Sequence, residues 1–267
     1  MLGDTPDVLP SEEVLAHGGC VTVTATNALI IIDGVARYLI RAGSEIIVTP
    51  DPLSDEDSVR LFLLTTALGI ALHQRATFTL SGAAISAPFG GVLLAGTSGI
   101  GTSTLATALY LRGYTLISDE FCVATVTPGG TPLLQPGIPR VMLWGYALEQ
   151  LDNPFPHIFP VRRGMEKYSI LLHDSFSTTP LPLWRIYWLI PTNALKVKFA
   201  EVRGCKQLSY IYGSSYCKLL SRTAENKRSR FHWSLRMAQF VHIRQMERPH
   251  LIKPDEMADA LIEDFTR

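Results

Sequence analysis

The stretch LLAGTSGIGTSTLATAL, residues 93–109, sets three glycines and a run of hydroxyls between an apolar segment and a helix-forming one. Gly96, Gly99 and Gly101 permit positive φ and a close backbone approach to a ligand. Successive N–H groups in such a turn form an anion nest, which the N-terminus of the following helix extends. Thr97, Ser98 and Thr104 add polar edges. Ser103 stands where the Mg2+-ligating hydroxyl of a G-x-x-x-x-G-K-[ST] loop belongs. That pattern also asks for lysine after the last glycine, and Thr102 stands there instead. The backbone cradle survives this change; the ammonium group does not. A charge-assisted contact of that kind contributes about 1.5–3 kcal/mol in the ground state, and more where phosphoryl transfer concentrates charge in the transition state. Some twenty residues on, Asp119 and Glu120 in LISDEF supply two carboxylates. They could hold Mg2+ directly or through water, and either could take a proton from an incoming hydroxyl.

These residues need a strand, a loop, a helix and a second strand to position them. Val92 to Ala95 reads as a buried strand feeding the loop, STLATALYLRG as a helix closed by Gly113, and YTLISDEFCVATV as a further strand carrying both acids. A glycine turn without a ligand does not require that surrounding order; a phosphate loop does. Upstream, residues 1–10 read as a loose tail. CVTVTATNALIIIDGVARYLIRAGSEIIVTPDP reads as short antiparallel strands turned at Asp33-Gly34 and Ala42-Gly43. LSDEDSVRLFLLTTALGIALHQR reads as a helix capped by Ser54, and TFTLSGAAIS as one strand. Downstream, MLWGYALEQL reads as a short helix and residues 152–182 as an irregular surface loop. LWRIYWLIP, LKVKFAEV and VHIRQME read as strands. KQLSYIYGSSYCKLLS, RFHWSLRMAQF and KPDEMADALIEDF read as helices. The division expected is a strand-rich subdomain over 1–62 and a nucleotide-binding core over 63–267.

Composition narrows the field. With 47% hydrophobic and 18% charged residues, the 267-residue chain can bury a sizeable core. Lys+Arg and Asp+Glu both number 24, so net charge carries no argument for nucleic acid, and the basic run SRTAENKRSRFHWSLR reads as a solvated face. Cys20, Cys122, Cys205 and Cys217 have no zinc spacing and read as buried structural residues. The start MLGDTPDVLPSEEVL has no signal-peptide pattern, and LFLLTTALGIAL is too short to span a bilayer; the cytoplasm is the expected location, with no membrane partner. Trp144, Trp184, Trp188 and Trp233 read as core.

The segment from GSEIIVTPDP through LISDEFCVATV resembles the kinase core of the HPr kinase/phosphorylase family, and most of all its shorter members, some of which modify precursor peptides in lasso-peptide gene clusters. Those carry a leucine-rich helix, LH on a strand, GxSGxGKSTLAxAL, RG and LxxDD. QPGIPRVMLWGYAL, RRGMEKYSI, PLWRIYWLIP and RFHWSLRMAQFVHIRQMERP extend the likeness, more weakly, over roughly residues 35 to 265. The resemblance implies an α/β fold with a P-loop kinase-like core of the HPr kinase/phosphoenolpyruvate carboxykinase type. It implies ATP phosphates on Gly96, Thr97, Ser98, Gly99, Ile100, Gly101, Thr102, Ser103 and Thr104, and Mg2+ on Ser103 and Asp119. Asp119 or Glu120 would be the base toward a serine of a small protein or precursor peptide. It also implies homo-oligomers, by analogy alone.

Two departures fall on one spot. Besides Thr102, the family's LH is LS here, with Ser81 in place of a histidine that lies beside the reacting phosphate. A serine neither carries charge nor shuttles protons near neutral pH. Lys167 in GMEKYS matches a basic position in the family and is a candidate to reach the phosphates, with Arg162, Arg163 and His73 as further cations in the neighbourhood of the motifs. The residues therefore support two functions: an ATP-dependent serine kinase-like enzyme, or an impaired kinase-like module acting through a protein or peptide partner. A plain P-loop NTPase fits less well without the lysine.

Overall fold

The structure, a computed structural model, describes residues 1–10, 14–172, 174–216 and 224–266. The chain is a mixed α/β protein and forms two compact units. One comprises Met1–Thr79 with Pro160–Met165 and Ser215–His232; the other comprises Leu80–Phe159, Glu166–Ser214 and Trp233–Arg267.

The first unit is built on a five-stranded antiparallel meander, β1 (Ala16–Gly18), β2 (Val21–Val23), β3 (Asn27–Ile32), β4 (Ala36–Arg41) and β5 (Glu45–Pro50). The turns expected at Asp33-Gly34 and Ala42-Gly43 are present, with Gly34, Ala42 and Gly43 at positive φ. The N-terminal residues are not a loose tail. Gly3 N–H donates to Val48 O, and the Thr5 N–H donates to Thr49 Oγ1. The open edge of β5 offers unpaired backbone groups, and the chain start takes them up.

A long helix follows as α1 (Glu56–Phe62), a π-helical turn Leu63–Ala67 and α2 (Leu68–Gln74). Asp55 rather than Ser54 is its cap, because the Asp55 carboxylate accepts from both Ser58 N–H and Ser58 Oγ–H, while the Ser54 hydroxyl donates back to Asp51 O. Ala67, Ile70 and Ala71 pack on Ile30, Tyr38, Ile40 and Val48. The helix thus shares a core with the meander, and the first unit runs on to Thr79.

The second sheet has the order β6-β10-β11-β15-β8-β7-β9, with β17 also on β15 and β16 on β17. Its strands are β6 (Phe78–Ser81), β7 (Ala83–Ala87), β8 (Gly90–Gly96), β9 (Leu116–Ser118), β10 (Phe121–Val126), β11 (Pro132–Leu134), β15 (Leu181–Thr192), β16 (Lys198–Val202) and β17 (His242–Pro249). TFTLSGAAIS makes two strands because Gly82 breaks it: its φ is 144°, and a Cβ there would lie 2.1 Å from Leu94 O. β8, β15 and β17 run parallel at the centre. Val92 to Ala95 are fully buried, as a parallel strand covered on both faces requires.

Helices α3 (Thr102–Leu111) and α7 (Pro254–Phe265) contribute Leu105, Leu109, Leu261 and Phe265 to the core over these strands. Arg112 ties them, reaching Asp255 at 2.6 Å and Asp259 at 2.8 Å. Further helices are α4 (Gly145–Gln150), α5 (Cys205–Gly213) and α6 (Ala224–Phe240).

A small sheet of order β12-β14-β13 corrects two expectations, with β12 at Arg140–Trp144, β13 at Phe159–Pro160 and β14 at Lys167–Leu171. MLWGYALEQL is half strand, and the supposed loop 152–182 contains β14. Val141 pairs with Ile170 and Leu143 with Tyr168, so the partner strand overrides the local helical composition. Among the cysteines, Cys122 is buried while Cys20 and Cys205 are exposed; Cys217 lies outside the described residues, as do 221–223 of the basic run.

Candidate nucleotide site

β8 ends at Gly96, and the chain passes through Thr97–Gly101 into α3. Gly99 has φ 81° and Gly101 φ 98°, the left-handed region that the sequence assigned to glycine. Gly96 needs its missing Cβ for another reason: one built there would lie 2.9 Å from Leu189 O. α3 begins without a side-chain cap and without an acid in its first turn. Its leading N–H groups therefore face the loop with no carboxylate of their own, which is the arrangement that favours an anion.

The loop forms one wall of a cleft of about 150 Å3. Gly96, Thr97, Ser98, Gly99, Gly101, Thr102, Ser103 and Thr104 line it, as do Glu120 and Lys167. Ile100 does not: its side chain is buried with Leu105 and Met246, and its N–H donates to Thr97 O. It anchors the loop rather than contacting a ligand. Ser81 and Thr102 both line the cleft, so the two replaced positions do share one site.

The two acids do not sit within a strand. β9 stops at Ser118 and β10 begins at Phe121, leaving Asp119 and Glu120 in the turn between them. Glu120 has φ 72°, an uncommon conformation for a side chain with a Cβ and one associated with functional sites. The turn sends the two carboxylates to different tasks. Asp119 Oδ1 accepts the Ser103 hydroxyl at 2.8 Å, and Oδ2 accepts Met142 N–H at 2.9 Å. Burial, with the nearby Glu120 charge second, pushes the Asp119 carboxyl up to about 6, although the hydrogen bonds from Met142 and Ser103 pull it down. Glu120 pairs with Lys167 Nζ at 2.5 Å across 47 residues. Partly buried Arg140, on β12, feels both acids; burial lowers its pKa against their pull upward.

Lys167 is brought to the cleft by β14, whose register sets Trp144 opposite Lys167. Arg162 stacks over the Phe62 ring at 5.9 Å, and Arg162, Arg163 and His73 all belong to the first unit. Trp144 is 42% exposed and Tyr146 55% exposed, both on the cleft rather than in the core. Sequence reasoning missed them, with Met142, because their placement depends on the β12–β14 pairing. Trp233 is buried as expected.

Mg2+ fits the donor set. Two hard oxygens, from Ser103 and Asp119, lie 2.8 Å apart. That is close to the edge of an octahedron with 2.0–2.1 Å bonds, about 2.9 Å. No group of three or more His, Cys, Asp or Glu side chains is placed to hold a metal among the described residues. Mg2+ in nucleotide sites uses one or two protein ligands, with phosphate and water completing the shell. No helix among the described residues is long and apolar enough to cross a membrane.

No family model matches the chain, and no curated protein does. Among solved structures, the HPr(Ser) kinase/phosphatase from Coxiella burnetii matches over 70% of this chain and 95% of that one, at 12% identity and a TM-score of 0.38. That is a distant structural likeness, and chemistry has to be argued from the cleft itself.

Proposed function

We propose that the cleft binds Mg·ATP and that the chain is a kinase-like phosphotransferase acting on a serine hydroxyl of a small protein or peptide. The observation that carries this reading is the 2.8 Å hydrogen bond from Ser103 to Asp119. It joins the loop's Ser103 hydroxyl, which lines the cleft, to an acid from the turn between β9 and β10, beside the open N–H groups at the start of α3.

In this reading Gly96 to Thr104 cradle the phosphates through backbone N–H groups, with Ile100 holding the loop in shape. Ser103 and Asp119 hold the metal; bound Mg2+ neutralises phosphate charge. Asp119 has both oxygens engaged. Glu120 lines the cleft and is the better placed base, taking the serine proton as its oxygen attacks the γ-phosphorus and ADP leaves. Lys167 gives the cleft a positive charge opposite the loop, in partial replacement of the lysine absent at position 102. The exposed faces of Trp144 and Tyr146 are available to a nucleobase or to peptide side chains.

A second reading is favoured by Ser81 and Thr102 standing in the same cleft: a kinase-like module that holds nucleotide and acts through a partner without transferring phosphate. Incubation with γ-labelled Mg·ATP and serine-containing peptides separates the two. Label transfer that is lost in Glu120→Gln supports the enzyme. Tight Mg·ATP binding with no transfer to any peptide and no hydrolysis supports the module.

A further inference from the structure

Arg248 lies at the end of β17, where no sequence motif drew notice. The register puts Leu189 beside both Gly96 and Met246, and Pro191 beside Arg248. Arg248 therefore sits two residues beyond the row of Gly96, roughly 7 Å further along the parallel strands, at the edge from which the loop emerges. Side chains two apart share a sheet face, so Arg248 shares the face of Met246. Met246 is buried with Ile100, Leu105 and Ala106, which makes this the face that α3 covers. The guanidinium consequently lies against the last glycine of the loop. A Cβ on Gly101 would meet Nε at 3.7 Å, Cζ at 3.9 Å and Nη2 at 4.0 Å.

The backbone of Arg248 belongs to the β15–β17 ladder, while its side chain makes no hydrogen bond and no ion pair among the described residues. This is an odd place for an uncompensated cation. Gly101 is the N-cap of α3, whose positive end and open N–H groups repel a guanidinium. Several other arginines of this unit have acid partners: Arg112 pairs with Asp255 and Asp259, and Arg185 and Arg244 with Asp264. A cation without an acid partner, held beside a helix start whose first turn contains no acidic residue, is an arrangement that an anion completes.

We infer that Arg248 is a phosphate-binding residue of this site, which brings to the loop from the neighbouring strand the positive charge that Thr102 does not supply. This rests on the nucleotide reading above and deepens it. The long side chain need only turn about its stem to meet a phosphate seated on the N–H groups at the start of α3. Lysine at 102 and arginine at 248 are then alternative sources of one charge.

The test is a double-mutant cycle on the full chain, with Mg·ATP and inorganic pyrophosphate as probes. Affinity is measured by calorimetry in the original chain, Arg248→Gln, Thr102→Lys and the double variant. Arg248→Gln is expected to weaken binding roughly tenfold to hundredfold. Thr102→Lys is expected to restore most of that loss in the Arg248→Gln background, gaining more there than in the original chain. The melting temperature of the ligand-free protein should stay level or rise in Arg248→Gln, since a repelled cation has gone. Unchanged affinity in Arg248→Gln, with binding intact in the original chain, would overturn the inference and leave the nucleotide reading standing. So would equal gains from Thr102→Lys in both backgrounds, or an affinity loss matched by a lower ligand-free melting temperature, which makes Arg248 a packing residue. Failure of the original chain to bind either probe overturns both.

Discussion

Two aspartates of the second unit, Asp264 buried and Asp119 half-buried, keep different company. Asp264, 1% exposed at the end of α7, receives the Tyr187 hydroxyl at 2.8 Å, Arg244 at 3.0 Å and Arg185 at 3.6 Å. Its charge is neutralised inside the fold, by groups that do not line the cleft of Ser103 and Glu120. Asp119 receives one hydroxyl and one backbone N–H, and its acidic neighbour adds repulsion. It makes no ion pair among the described residues, although Arg140 acts on it at longer range, and its carboxyl is pushed up to about 6. Under the proposed function, the fold supplies the counter-charge of Asp264 and leaves that of Asp119 to a ligand.

Removing each acid should break this comparison in opposite directions. Asp264→Asn leaves two partly buried arginines without their partner, and should cost about 3–5 kcal/mol of unfolding free energy in a urea titration. Asp119→Asn should do the reverse in metal-free protein. Between about pH 4 and pH 6 the folded chain holds the Asp119 proton, while the unfolded chain, near the ordinary 3.8, has released it. Stability in EDTA should accordingly fall as pH rises through that window, by on the order of 3 kcal/mol from this group. Asp119→Asn should flatten the fall and be the more stable protein at pH 7, while losing Mg2+-dependent nucleotide binding. A smaller effect is expected at the opposite wall: Lys167→Ala should weaken Mg·ATP roughly tenfold, a charge-assisted contact of about 1.5 kcal/mol, as read by calorimetry. The smallest is Arg112→Ala. It removes half-exposed ion pairs between α3 and α7 and should lower stability by no more than about 1 kcal/mol.

Much of the site was legible because it is local. β8, the loop and α3 follow one another between Gly90 and Leu111, so apolar run, glycines and helix pattern could be read together. The acids were found, but read as part of a strand, because nothing in LISDEF announces that Glu120 takes a left-handed φ. The wall that faces the loop was not legible. Trp144 and Tyr146 reach the cleft through β12, whose identity as a strand depends on β14 some 25 residues away. Arg248 lies against Gly101 through two parallel pairings across β15, a relation with no trace in local composition. The Asp264 cluster escaped for the same reason, its partners being spread over β15, β17 and α7. Lys167 was reached through the family resemblance, and the geometry places it in the cleft against Glu120.

In the proposed function residues 96–104 are a phosphate loop whose backbone cradle is kept and whose own charge is missing. Calorimetry of Mg·ATP against the original chain and Thr102→Lys tests it most directly. The expected result is Mg2+-dependent binding by the original chain, tightened by the added lysine. Binding by neither protein would contradict it and leave Gly96 to Thr104 as a turn without a ligand.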